Sequence, residues 1–293
     1  MPQNGRPQTN QPMSLFSILI ILLVVCLIQW VRWRPLDLAH FFSLTNAPIR
    51  YGHRGANKYQ PENTLASFRQ AVKDGCTGIE LDVHLIKDGA LAVIHDKELK
   101  RTTGQTGLIT QCTRDQLKSI NAAANWQGRF EAIPTLDEVL EAVPENLTIN
   151  IEIKDFEFLG APDTERAVVK FIQTHQIKHR IVVSSFYPLV LRRIKKLDGT
   201  IITGLLWDFT DWREGLIPFF CLAVRPDILH PNYLAIRPWT RWIARAKGLV
   251  MQVWVVNDAD RIRQLSRDPL IKGIMSDDTI LLNDILSPKK GQS

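Results

Sequence analysis

Hydrophobic positions along this chain follow two regimes. Met13 to Val31, "MSLFSILIILLVVCLIQWV", is a run of nineteen residues without a charge. From Ile49 onward, apolar runs of strand length alternate with stretches whose apolar residues recur at helical spacing, such as "TLASFRQAVKDG" and "DTERAVVKFIQTHQ". The strand-like runs cover residues 49–54, 78–83, 147–154, 180–186, 200–207, 227–231, 249–257 and 273–277. Eight strands interleaved with helices predict a parallel TIM (β/α)8 barrel. A ninth run, "LAVIHD" at 91–96, follows the second strand across "KDG", a tight hairpin turn. It leads into an expected insertion of about 97–140 above the barrel mouth. The alternative, an open doubly wound sheet, lacks a G-x-G-x-x-G after the first strand.

The uncharged run would cover about 28 Å as a helix, enough to cross a bilayer core. It runs into "QWVRWRPLD", with two Trp and two Arg at the expected interface and no small-residue cleavage site. An uncleaved single-pass anchor is the reading, and the membrane becomes a partner. Arg32 and Arg34 follow the span and Arg6 precedes it, which tilts the catalytic domain towards the cytoplasm. The organisation expected is a disordered, proline-rich tail (1–12), the anchor (13–31), a linker (32–47) and the barrel (48–288).

Of 293 residues, 45% are hydrophobic and 23% charged, an ordinary globular composition. The net charge of +6 suits anions. It is spread rather than run into one block, so nucleic acid is not an expected partner. Cys26, Cys76, Cys112 and Cys221 form no C-x-x-C pair, which argues against a disulfide framework or a zinc site.

The candidate chemistry lies at strand ends. In "GIELDVHLIKDGALAVIHD", Glu80 and Asp82 share one face of a strand whose other face carries Ile79, Leu81 and Val83. Glu152 and Lys154 repeat the pattern on the next barrel strand, between Ile151 and Ile153. If the barrel closes, three carboxylates converge, and such a cluster is costly without a cation among them. Oxygen donors select a hard divalent cation, Mg²⁺ or Ca²⁺. Arg54 and Lys154 suit phosphate oxygens. His53, in the "HRG" that ends the first strand, and His95 after the hairpin suit general acid–base work. Together these are the parts for metal-assisted phosphodiester cleavage. His84 shares the parity of Glu80 and Asp82 but falls past the barrel end, and no role is assigned to it. His40, His175 and His179 fall in helix or linker segments as surface residues. His230 ends a strand and is a candidate pocket residue.

"GHRGANKYQPENTLASF", "IELDVHLIKDGALAVIHD", "IEIK" and "QVWVVND" together resemble the glycerophosphodiester phosphodiesterase family, from about Ile49 to the mid-280s. The resemblance implies a TIM-barrel hydrolase yielding an alcohol and glycerol 3-phosphate. It implies Glu80, Asp82 and Glu152 as metal ligands, His53 and His95 as the acid–base pair, and Arg54 and Lys154 as phosphate contacts. Trp254 matches an aromatic lining the substrate pocket, and Glu62 and Asn63 of "PENT" match residues that buttress the mouth. Val255, Ile86 and the C-terminal "SDD" depart from the usual pattern without touching these positions.

Two rival functions are a lysophospholipase D acting on lysophospholipids and a catalytically silent barrel that binds head groups. A phospholipase C of the phosphatidylinositol type would leave "PENT" and Glu-x-Asp unexplained. The apolar run "GLIPFFCLAV" (215–224) and the Trp-bearing "RPWTRWIARAKG" (237–248) are either barrel helices or a lip dipping into a membrane interface.

Overall fold

Eight strands pair in parallel and close on themselves. They are β1 (Ile49–Gly52), β2 (Gly78–Leu85), β4 (Thr148–Ile153), β5 (Ile181–Ser185), β6 (Ile202–Trp207), β7 (Ile228–Pro231), β8 (Val250–Val253) and β9 (Ile271–Ser276). Closure is made by β1, which pairs with both β2 and β9. The short β3 (Leu91–Val93) runs antiparallel to the far end of β2, with Val83 opposite Val93. The structure is a computed structural model and describes residues 14–42, 47–154, 163–210 and 215–287. The expected tail, 1–12, lies outside the described residues, as do residues 43–46 and the side chain of His40.

The chain divides into two compact units, Met1–Arg34 and Pro35–Ser293. In the first, Leu15–Arg32 is an 18-residue helix none of whose residues is buried, capped by the Ser14 hydroxyl on the Ser17 N–H at 3.2 Å. By length and composition it could cross a membrane.

Period-two alternation explains the barrel. Ile79, Leu81, Val83, Ile149, Ile151 and Ile153 point outward into one cluster with the surrounding helices and are essentially inaccessible. Burying each such side chain stabilises the fold by about 1.5–3 kcal/mol. The inward positions are then free to hold Glu80, Asp82 and Glu152, and the register aligns Asp82 with Glu152. Both segments with two readings, 215–224 and 237–248, form outer helices, Ile217–Val224 and Pro238–Lys247. Each buries one side while Phe219 and Trp242 stay exposed.

The insertion carries its own core. Ile86, Ile94, Leu99, Ile109, Leu117 and Ile133 pack together beside β3. Helix Leu136–Ala142, which the expected range of 97–140 partly absorbed, serves as the barrel helix before β4.

The expected linker is not a free spacer. Leu36, Leu38, Phe41 and Phe42 pack on Val182, Ile202 and Ile228, the inward residues that open β5, β6 and β7. Asp227 Oδ1 also accepts the Leu36 N–H at 3.0 Å. Pro35–Phe42 therefore plugs the end of the barrel opposite the strand termini that carry the candidate chemistry.

Candidate active site

The C-terminal ends of the strands bring the sequence candidates to one mouth. Carboxylate oxygens of Glu80, Asp82 and Glu152 lie within 4.8 Å of one another, all three side chains buried. Glu80 Oε2 accepts the Arg54 N–H at 2.9 Å, whereas its Oε1 has no hydrogen-bond partner. That orphaned buried oxygen, in a donor set made only of carboxylates, fits a hard divalent cation. Lys154 Nζ sits 2.7 Å from Glu152 and 3.1 Å from Asp82.

"HRG" works through its backbone. Arg54 adopts a left-handed conformation, φ 52°, and this turn aims its N–H at Glu80. Gly55 follows at φ 84°, where a Cβ would lie 2.4 Å from the Ser67 hydroxyl, so the helix Leu65–Lys73 closes tightly on the turn. In "PENT" each polar side chain has a task. Glu62 accepts from Arg54 at 3.0 Å and from Arg101 at 2.8 Å. Asn63 donates to Asp82 at 2.8 Å, and Thr64 caps that same helix.

The two histidines are held alike. His53 Nδ1 lies 2.7 Å from Asp277 Oδ1, and His95 Nδ1 lies 2.5 Å from Asp96 Oδ1. Asp277 is itself fixed by Asn57 at 2.8 Å and Asn257 at 2.6 Å; Arg101 also donates to Asp96. Each ring keeps Nε2 for the pocket, that of His53 standing 3.9 Å from Glu80 Oε2. Both histidines line a cavity of about 230 Å³ together with Arg54, Lys154 and Trp254.

Burial is the largest influence on every group here, and neighbours then divide them. For Glu80, burial and the charges of Asp82 and Glu152 push the carboxyl well above its ordinary range. Glu152 is raised by burial against the opposing pull of Lys154. Asp82 is lowered, because Lys154 and Arg54 outweigh its burial. His53 is raised, since the Asp277 bond and the Glu80 charge overcome burial. His95 is lowered by burial, with Lys154 and Arg54 acting in the same direction.

The structure assembles Glu80, Asp82, Glu152, His53, His95, Arg54, Lys154 and Trp254 at one mouth. His230 does not join them. It is fully buried beneath, its ring occupying the space that a Cβ on Gly204 would take, and burial lowers its pKa to about 3. His84, given no role from sequence, donates from Nε2 to the His95 carbonyl at 3.1 Å and so steadies that loop. Asp277, Asn257, Asp96 and Arg101 were not singled out as site residues. Asp96 had a signal, since it adjoins His95; Asp277 lies 224 residues from its partner.

A family model described as "Glycerophosphoryl diester phosphodiesterase family" matches residues 53–281. A curated glycerophosphodiester phosphodiesterase of Caldanaerobacter subterraneus is 35% identical over 231 residues, covering 77% of this chain and 92% of that protein. The crystal structure of a glycerophosphodiester phosphodiesterase from Thermotoga maritima superposes with a TM-score of 0.68 at 31% identity, over 82% of this chain and 99% of that one. An Oleispira antarctica phosphodiesterase, solved in complex with its product sn-glycerol-3-phosphate, matches at a TM-score of 0.68 and 26% identity, over 84% of this chain and 98% of that one. A closed parallel barrel with this constellation at its mouth, matched over most of its length, belongs to the glycerophosphodiester phosphodiesterase family.

Proposed function

We propose that this chain is a membrane-anchored, divalent-cation-dependent phosphodiesterase that hydrolyses glycerophosphodiesters to an alcohol and glycerol 3-phosphate. The observation that carries the reading is the buried carboxylate triad flanked by two histidines, each held through Nδ1 by its own aspartate. Glu80, Asp82 and Glu152 would hold one cation, Mg²⁺ or Ca²⁺. When bound, it supplies Lewis acidity at the phosphoryl oxygens. Arg54 and Lys154 carry the fixed positive charge that draws the phosphate into the cavity and orients it. One histidine takes the proton from the attacking oxygen through Nε2, and the other gives a proton to the departing alcohol oxygen. Asp277 and Asp96 hold the rings in the orientation and tautomer this requires.

The cavity volume of about 230 Å³ favours a small water-soluble diester over one carrying an acyl chain, since pockets for larger ligands span about 300–1,000 Å³. Helix Leu15–Arg32 would anchor the enzyme, and Arg32 and Arg34 favour a cytoplasmic barrel. The test compares glycerophosphocholine with lysophosphatidylcholine, using protein from Pro35 onward, in EDTA and then with Mg²⁺ or Ca²⁺. Metal-dependent glycerol 3-phosphate from the first supports the proposal. Lysophosphatidic acid from the second alone would replace it by a lysophospholipase D, and no product from either by a silent binder.

A further inference from the structure

The insertion reaches the mouth through one side chain, Arg101. It lies in the short helix Lys100–Thr103, whose Thr102 and Thr103 are buried. The Arg101 carbonyl accepts Asn125 Nδ2 at 2.8 Å, and the Thr103 hydroxyl donates to the Leu99 carbonyl at 2.7 Å, so the backbone here is fixed within the insertion. From it the guanidinium directs its donors at two carboxylates. Nη1 and Nη2 grip the two oxygens of Glu62 as a fork, each at 2.8 Å, and Nε donates to Asp96 Oδ2. Each carboxylate also serves a site residue. Glu62 Oε1 accepts Arg54 Nη1 at 3.0 Å, and Asp96 Oδ1 holds His95 Nδ1 at 2.5 Å.

The two histidines are therefore supported by different chemistry. Asp277, behind His53, is held by the neutral amides of Asn57 and Asn257. Asp96, behind His95, is held by the guanidinium of Arg101. The side chains of Arg101 and Asp96 are 46% and 28% exposed, so their ion pair adds little to the stability of the fold. Its geometry is the larger effect. A planar guanidinium fixes two carboxylates relative to each other, which the single ammonium of a lysine does not do. We propose that Arg101 is a positioning residue. It clamps Glu62 and Asp96 together and so sets the His95 ring relative to Arg54, the proton-transfer group relative to the phosphate contact. The inference rests on the phosphodiesterase reading of the same cavity.

The test uses Arg101→Ala and Arg101→Lys in the full chain, in detergent. It reads steady-state kinetics on glycerophosphocholine and nitrogen-15 NMR of the His95 ring, assigned with His95→Asn. In the wild type the Asp96 bond keeps the ring proton on Nδ1 and leaves Nε2 as the acceptor. Arg101→Ala should mix the two tautomers. It should lower kcat about 10–100-fold and change KM by less than about threefold, because a displaced acid–base group costs turnover more than binding. Its melting point should stay within about 4 °C of wild type. Guanidinium ion below denaturing concentration should restore both kcat and the ring spectrum, since a cavity of about 220 Å³ opens onto Arg101 and Glu62. Arg101→Lys keeps the charge without the fork and should recover only part of kcat; full recovery would assign the effect to charge and overturn the clamp. A lowered melting point with no rescue by guanidinium would assign Arg101 to the fold instead. An unchanged His95 ring in Arg101→Ala, or a changed ring with unchanged turnover, overturns the inference and leaves the activity standing. If the wild type cleaves no diester, the activity reading falls, and the ring spectrum of Arg101→Ala decides the clamp by itself.

Discussion

Replacing Glu80 by glutamine should make the cation-free protein more stable while destroying its response to metal. Glu80 is buried, with one oxygen held by the Arg54 N–H and the other unpartnered. Burial, with Asp82 and Glu152 nearby, raises its carboxyl from 4.5 to about 8. In the fold the group therefore keeps a proton that the unfolded chain releases above 4.5. The cation-free fold is favoured below that value and loses stability as the pH rises towards 8. At pH 7 the penalty is about 3 kcal/mol, at about 1.4 kcal/mol per pH unit. Glutamine is neutral in both states and can still accept from Arg54. In EDTA at pH 7 the variant should therefore melt several degrees above wild type, at about 2–4 °C per kcal/mol for a domain of this size. At pH 5 the difference should nearly vanish.

Added Mg²⁺ or Ca²⁺ should reverse the order. Cation at a thousandfold excess over Kd stabilises the wild type by about 4.1 kcal/mol, more than the penalty of about 3 kcal/mol. Glu80→Gln lacks a ligand charge and should show little or no rise. Circular-dichroism melts with and without chelator at both pH values measure all of this. A variant that melts below wild type in EDTA, or that keeps the full metal-dependent rise, would refute the reasoning that places a cation among these carboxylates.

Asp277→Asn should leave the fold intact but cost about 10–100-fold in kcat with little change in KM, since it frees the His53 ring that the 2.7 Å bond orients; steady-state kinetics on glycerophosphocholine decide it. Deleting residues 1–34 should give a soluble, stable barrel, whereas deleting 1–42 removes four partly buried apolar side chains and should cost roughly 3–6 kcal/mol in urea unfolding. Equal stability of the two truncations would show that the plug does not hold the barrel end. His230 is neutral when buried, with its pKa lowered from 6.5 to about 3. Its contribution is complete above 6.5 and falls by up to about 1.4 kcal/mol for each pH unit below that. His230→Asn should therefore flatten stability against pH between 6 and 4, and an unchanged slope there would count against this cause.

Local pattern decided a great deal. The alternation Ile79, Leu81, Val83 fixes which face of β2 is buried against helices, so Glu80 and Asp82 have to point inward whatever the rest of the chain does. The same parity set Glu152. Eight such strands spaced by amphipathic helices leave few ways to bury both faces of the sheet, which is why the closed barrel was legible. Other features depend on distance in space, which sequence separation does not encode. Asp277 meets His53 only because β9 closes against β1, and the Phe186 and Trp254 rings meet only because β5 and β8 end at one mouth. His230 looked like a pocket residue until Gly204, on the neighbouring strand, made room for its ring below. The apolar residues at 36–42 read equally well as a spacer, because nothing local says that a barrel end needs covering. Periodicity determines which way a side chain faces; closure of the barrel decides what it finds there.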